Sequence, residues 1–434
     1  MESLCDPALI RAVCLFIPIL FVVGVWIYQK PSLLANTGAY LATAWILAVL
    51  PLLNLLAFQF EWWSFHAEGG LWMGTPFDLI LGWSLLWGFF PAIAFPTVSL
   101  PVLAGLFLSL DVVLMPACSP VVQLGKNWFW GNLLFIFVLF IPAQQIARKT
   151  STGNTPGYRA FSQMMLFTIF FFVDISLLII MENFSFKQYW YFWIMHPINL
   201  QLLFLLAVPG LSAVQEFVIR GDGTPLPYDP PKRLVTTGVY SYVRNPMQLT
   251  TTLLFFALSL LSDCGVFYLA GTITFVYSAG FASWHEDPEM LERYGKAWKQ
   301  YHLAVPKWIP CFRPRFIPDM ASAILYYDSE CSFCRNIAQW IQKRNPRNLR
   351  LLPAQNHPSR DLERLTYDPG DGREEEGVAA LGRGLEHLHL GWAYLSWIVR
   401  LPIILQFIQL ITDVVGLGPR KVCRILIPDI EKKG

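Results

Sequence analysis

The chain has 434 residues, of which 55% are hydrophobic, 15% aromatic and 14% charged, with a formal net charge of +2. A soluble protein carries about 25% charged residues, so the composition excludes one. The small net charge, without any long Lys/Arg block, excludes a nucleic-acid surface. Eight cysteines are scattered, and only Cys331 and Cys334 lie close in sequence, which excludes a secreted disulfide framework.

About 20 apolar residues span a bilayer. On that rule the chain reads as about nine spans: 8–28, 38–58, 78–94, 97–117, 128–147, 163–181, 190–215, 247–262 and 265–284. The first has no small-residue cleavage site after it and reads as a retained helix. Pro91, Pro96 and Pro101 interrupt the third and fourth, which fit two spans or one re-entrant pair. Arg148, Lys149 and Arg159 share one loop; Arg220, Lys232, Arg233 and Arg244 share the loop two spans later. Basic loops face the cytoplasm. The expected N-terminus is therefore outside and the C-terminal tail cytoplasmic, with Lys126 and Lys187 as exceptions.

Beyond Trp284 the character changes. Met290, Leu291, Tyr294, Trp298 and Tyr301 recur at helical spacing, which predicts a helix lying in the membrane interface. "VPKWIPCFRPRFIPDM" reads as an extended Pro-rich linker. From about Ser322 a soluble domain begins: "AILYY" is a buried strand, 332–344 a helix and "LRLLPA" a second strand. Arg400, Pro402 and Asp413 break the apolar run 398–417, which predicts helices of this domain and not a tenth span. The expected fold class is a polytopic α-helical membrane protein with a C-terminal cytosolic α/β domain. Its expected parts are helices of unknown role in 1–190, a membrane core in 191–312, a linker in 313–321 and the tail domain in 322–434.

The spans at 247–262 and 265–284 are joined by almost no loop, so they form an antiparallel hairpin. Arg244-Asn245-Pro246 and His285-Glu286-Asp287 then meet at one membrane face. Asn245 before a proline is biased away from helix, which leaves its backbone free for a ligand. Ordinary charged helix flanks are the plain alternative.

"TTGVYSYVRNPMQL" followed by "HEDPEMLERYGKAWKQYHLAVPKWIP" resembles the C-terminal signature of the isoprenylcysteine carboxyl methyltransferase superfamily, which includes phospholipid N-methyltransferases. Upstream, "GDGTPLPYDPPKRLV" is similar to a stretch of its bacterial members. The resemblance covers about 195–312. It implies S-adenosylmethionine as cofactor, bound by Arg244, Asn245, Pro246, Glu286 and Asp287, with Gly238 and Tyr240 shaping the pocket and Arg244 also catalytic. Asn245 stands for the commoner His, Asp287 for Glu, and Gln248 for a Tyr near where substrate sits, so substrate identity stays open. The residue chemistry suits that cofactor. Acids can accept from its ammonium or ribose hydroxyls, and Arg244 can take a carboxylate bidentately.

"YYDSECSFCRN" places Cys331 and Cys334 after a strand and at a helix start. A helix N-terminus stabilises the first thiolate, and the second thiol can attack the resulting mixed disulfide. Arg335 adds to the positive field. A zinc half-site is the alternative, but no second CxxC or paired His follows, so no metal is expected. With "LRLLPAQ" and "GVAAL…WAYLSWIVRLP", the motif resembles the DCC family of thiol–disulfide oxidoreductases over about 325–425. That implies a thioredoxin-like core with Cys331 attacking, Cys334 resolving and Asp328 modulating; the family's Asp-Gly-x-Cys is here Asp328-Ser329-Glu330-Cys331.

Asp78, Asp111 and Asp174 lie in or beside spans, where an acid is a functional candidate. Asp78 and Asp111 are candidate contacts to a polar substrate head, the alternative being pairing with a neighbouring helix. His196, Asn199 and Gln201 form a similar polar cluster. The resulting expectation is methyl transfer from S-adenosylmethionine to a lipid, isoprenoid or thiol acceptor in the bilayer, tethered to a redox domain. The alternative is a membrane-anchored oxidoreductase with a degenerate methyltransferase site. Redox coupling would act on a substrate disulfide or on Cys311, since Cys264 falls on the opposite face; otherwise the fusion only co-localises two activities. Nothing in the sequence sets the oligomeric state.

Overall fold

The computed structural model describes residues 6–174, 176–177, 196–226, 230–317 and 320–422. These divide into two compact units: 1–195 with 224–229, and 196–223 with 230–434.

The first unit is helical. It contains α1 (Pro7–Gln29), α2 (Leu33–Gln59), α3 (Phe77–Ala94), α4 (Leu100–Ala117), α5 (Trp128–Thr152) and α6 (Pro156–Phe167). The first five are each long and apolar enough to cross a membrane. Short strands β1 (Trp63–Phe65), β2 (Leu71–Trp72), β3 (Thr75–Pro76) and β4 (Val122–Leu124) fill the connections. β1 pairs with β4, Trp63 opposite Leu124, so the loops before α3 and before α5 share one face. Arg148 at the end of α5 donates to the Val98 carbonyl between α3 and α4, which puts those two sites on the other. The prolines do not merge α3 and α4 into a re-entrant pair. Pro91 lacks an N–H and displaces the carbonyl four residues back, that of Trp87. The helix widens over Leu85–Phe89, and Gln144 of α5 donates to the Trp87 and Gly88 carbonyls at 2.8 and 3.1 Å. Lipid could not satisfy those carbonyls; a neighbouring helix does. A Cβ at Gly88 would lie 2.6 Å from the Thr43 Cα, so only glycine permits this approach of α3 to α2.

The second unit opens with α7 (Pro197–Ile219), the sixth helix able to span a membrane among the described residues. The expected span 163–181 lies partly outside those residues. α8 (Pro246–Ser262) and α9 (Gly265–Gly280) are apolar but shorter. They form the expected hairpin: Asp263 adopts φ 50° at the turn, and Gly271 packs on the Phe256 ring. α10 (Ser283–Ala304) breaks at Gly295, φ 56°. It corrects the expected interfacial helix. Trp298 and Tyr301 are buried, Met290 and Tyr294 half-buried, and only Leu291 is exposed. The Tyr301 hydroxyl donates to the Tyr240 carbonyl at 2.9 Å, so this face serves the protein and not lipid.

The tail holds β5 (Ala323–Tyr327), α11 (Ser332–Gln342), β6 (Leu349–Pro353), β7 (Thr366–Asp368), β8 (Glu375–Glu376), α12 (Val378–Glu386), α13 (Leu390–Val399) and α14 (Pro402–Thr412). The sheet order is β6-β5-β7-β8. β5 runs parallel to β6, as expected from "AILYY" and "LRLLPA", and antiparallel to β7.

A buried ion network joins this tail to α7. Glu216 of α7, fully buried, accepts from Arg383 of α12 at 2.8 Å and from Arg400, after α13, at 3.2 Å. Glu386 pairs with both arginines at 3.1 and 2.7 Å. Glu375 receives Arg220, Arg383 and Arg400 at 2.5, 2.8 and 3.3 Å. Three glutamates thus face three arginines. Burial pushes the Glu375 carboxyl up, but the three guanidinium groups outweigh it and hold it at about 2, below its ordinary 4.5. A depressed carboxylate contributes stability that is present above its unfolded value and lost as the pH falls through its folded one. This contribution is therefore complete above pH 4.5 and disappears toward pH 2. Removing one partner leaves a buried charge uncompensated and costs about 3–5 kcal/mol. Arg400→Met is therefore expected to lower the melting temperature of the detergent-purified chain markedly. A melting temperature equal to the parent's would show that the network carries no stability.

Candidate functional site

Two constellations stand out, both in the second unit. The first surrounds the turn before α8. Gly238 has φ +61°, a conformation that favours glycine, and a Cβ there would lie 2.7 Å from the Glu216 carboxyl carbon. Thr237 donates its hydroxyl to Glu216 at 3.0 Å. Tyr240 is buried and stacks on Phe217 of α7, with centroids 5.2 Å apart and planes 8° from parallel. Tyr242 is buried against Trp397 of α13 and donates to the Glu386 carbonyl at 2.8 Å.

The turn is held from the other side by the Pro-rich stretch. Arg244 and Asn245 donate their N–H groups to the Pro306 and Lys307 carbonyls at 2.9 and 3.2 Å. Cys311 and Arg315 donate theirs to the Tyr242 and Ser241 carbonyls at 2.9 and 2.8 Å. Residues 306–315 therefore act as a strap along the motif. Asn245 is non-helical, with φ −116° and ψ 59°, and Pro246 begins α8, where a missing N–H costs nothing.

The charged side chains gather at this hairpin mouth. Arg244 donates to the His302 carbonyl at 2.8 Å and stands over the Trp298 ring, 5.8 Å from its centroid. Asp287 lies 3.8 Å from His302 and within electrostatic reach of Arg244 and Lys307. Gln248 and Lys307 both lie close enough to the Glu286 carboxyl to act on it. Partial burial lowers the Lys307 ammonium from its ordinary value, against the pull of Asp287. The structure thus brings together Arg244, Glu286 and Asp287, as the hairpin predicts, with Gln248 beside them. It adds Lys307 and His302, which lie in the segment read as linker and interfacial helix.

The second constellation is the dithiol. Cys331 occupies the N-cap of α11, and its sulfur accepts from the Cys334 N–H at 3.4 Å. Burial pushes the Cys331 thiol up, but the N–H groups of Cys334 and Phe333 and the Cys334 thiol outweigh it, leaving it below its ordinary 9.0. Burial and the neighbouring Cys331 sulfur push Cys334 up to about 12. The asymmetry suits an attacking first thiol and a proton-holding second one. Arg335 turns to the Ser329 carbonyl at 3.3 Å; the cation acting on Cys334 is Arg420. The pair opens on a pocket of about 130 Å³ whose walls include Asp328, Phe333, Ile337, Val378 and Gln409. Among the described residues no group of three or more His, Cys, Asp or Glu side chains could hold a metal ion.

The remaining candidates lie elsewhere. Asp78 is ion-paired with Arg11 of α1 at 2.6 Å, the neighbouring-helix pairing left open by the sequence. Asp111 is half-buried on α4. Asp174 is buried, and neither of its carboxylate oxygens has a hydrogen-bond partner among the described residues. His196 and Gln201 are exposed and Asn199 half-buried around the first turns of α7. A second sulfur pair, Cys14 and Cys118, comes within 3.8 Å across 104 residues, which no local spacing could reveal.

No curated protein and no solved structure matches the chain. Two family models do, each over one of the two constellations. Residues 206–297 match the phospholipid methyltransferase family, and residues 325–416 match the DCC1-like thiol-disulfide oxidoreductase family.

Proposed function

We propose that the chain transfers a methyl group from S-adenosylmethionine to a membrane-borne acceptor at the mouth of the α8–α9 hairpin, and that its tail performs thiol–disulfide exchange. The observation that carries the first half is the convergence of Arg244, Glu286 and Asp287 inside the phospholipid methyltransferase match. The donor set fits the cofactor. Arg244 and Lys307 answer its carboxylate; Glu286 and Asp287 answer its ammonium or ribose hydroxyls. When bound, the cofactor supplies an electrophilic methyl group. The chain's own part is to bind and orient it beside the apolar hairpin, from which a lipid, isoprenoid or thiol acceptor approaches. Gln248, close to Glu286, is assigned to the acceptor on the family resemblance. An acidic oxygen or thiolate acceptor needs no general base, whereas an amine must first lose a proton. We place both sites on the cytoplasmic face, on the strength of the basic loops.

In the tail, the Cys331 thiolate attacks a substrate disulfide, forming a mixed disulfide and releasing one substrate thiolate. Cys334, once deprotonated, attacks the Cys331 sulfur, releases the second substrate thiolate and leaves a Cys331–Cys334 disulfide. Two electrons pass to the substrate. The parallel β5-α11-β6 unit followed by antiparallel β7 and β8 supports a thioredoxin-like core for this chemistry.

A second reading has its own observation. Asp287 already faces His302 at 3.8 Å, which suits an oxidoreductase whose methyltransferase site no longer binds cofactor. Calorimetry with S-adenosylmethionine separates the two. The parent is expected to bind, and Arg244→Ala and Glu286→Ala each to weaken binding by about 1.5–3 kcal/mol, the worth of a charge-assisted hydrogen bond. Unchanged affinity in both variants would move the site elsewhere, and no binding by the parent would favour the second reading.

The thiol asymmetry has a direct pH signature. In the reduced protein, Cys331 should be alkylated by iodoacetamide with a midpoint below 9.0, while Cys334 stays unreactive until about pH 12. Peptide mass spectrometry resolves the two. Equal reactivity across the pH range would remove the assigned roles.

A further inference from the structure

The stretch "LPIILQFIQLIT", 401–412, holds no charge between Arg400 and Asp413. As α14 it has no buried residue. Ile403, Phe407, Leu410, Ile411 and Val414 are exposed by 83, 62, 61, 44 and 77%, and their spacing puts them on one helical face. The opposite face is in use: Gln409 and Thr412 line the dithiol pocket. Arg364 grips Asp413 through both guanidinium nitrogens, and Gln409 accepts from the Val378 N–H at 2.9 Å. The helix is therefore fixed in the tail with an apolar side that has no partner among the described residues.

The direction of that side follows from α7. α13 lies along α7, with Tyr394 donating to the Leu205 carbonyl and Gln215 to the Arg400 carbonyl. α14 then leaves α13 at 87°. An element perpendicular to a membrane-crossing helix lies in the membrane plane. Its depth follows as well. Gln215 stands four residues before the α7 end at Ile219, or about 6 Å at 1.5 Å per residue. Interfacial helices bury their apolar face roughly 5–10 Å into the headgroup–acyl boundary.

We infer that α14 is an in-plane membrane-docking helix, seated in the lipid surface by its Ile403–Phe407–Leu410 face and by Val414 just beyond its end. Its inner face walls the dithiol pocket, so the docking holds the dithiol beside that surface. On the thiol-exchange reading given above, its substrates are disulfides carried on molecules held in the bilayer.

The test uses the full chain in nanodiscs containing a phospholipid with a diazirine in its acyl chain. After illumination, peptide mass spectrometry should find lipid adducts on Ile403, Phe407, Leu410 or Val414, and on the exposed Ile198, Leu200 and Leu202 of α7 as reference. Adducts on α7 with none on α14, or chain-to-chain crosslinks through α14, would overturn the docking and assign the face to protein. In the same nanodiscs, a disulfide-bearing phospholipid should be reduced about 10²-fold faster than its water-soluble counterpart at equal bulk concentration, because confinement raises its effective concentration. Equal rates would overturn the substrate class. Lipid adducts on α14 with neither disulfide reduced would leave the docking intact and overturn the thiol-exchange reading instead.

Discussion

The second unit depends on one buried carboxylate. Glu216 sits on a helix apolar enough to cross a membrane, with no exposure to solvent. A charge in that position is untenable without cations and hydrogen bonds around it. Arg383 and Arg400 supply the charge from the tail, and Thr237 supplies a hydroxyl from the methyltransferase motif. Gly238 follows Thr237 because the Glu216 side chain occupies the space a Cβ would need. The same carboxylate therefore fixes the motif's first residues and the tail's two central arginines.

That constraint changes what the fusion means. The tail helps to build the floor of the proposed methyl-transfer site: Tyr242 packs on Trp397 and bonds the Glu386 carbonyl. From this floor the strap 306–315 aligns Arg244 and Asn245 at the hairpin mouth. The dithiol lies in the same tail, where α14 walls its pocket. Electron transfer between the sites is not required for them to be coupled. A change at α12 or α13 can reach the 237–245 turn through Glu216 and through Tyr242.

Much of this was legible in the sequence where chemistry is local. The hairpin at 247–284, the β5-α11-β6 unit and the Cys331–Cys334 placement follow from apolar run length, turn residues and helix-start chemistry. Asp78 was visible as a membrane acid, though its partner Arg11, 67 residues away, was not. What escaped the sequence was long-range. The expected seventh span ended at residue 215, one short of Glu216, although an acid in an apolar helix carries the same signal as Asp78. Trp298 and Tyr301 fit an interfacial helix by spacing alone; only the tertiary packing against Tyr240 shows that protein, not lipid, covers them. Lys307 was hidden in a Pro-rich run because irregular backbone has no periodicity to read.

Hydrogen–deuterium exchange on the full chain carrying Arg383→Met tests the dependence on Glu216 most directly. Arg383 touches neither proposed ligand site, so an effect on the motif reaches it through Glu216 or through the α12 end that Tyr242 bonds. The account predicts faster amide exchange across residues 237–245 as well as in α12, with α1 to α5 unaffected. Faster exchange confined to α12, with 237–245 as protected as in the parent, would contradict it.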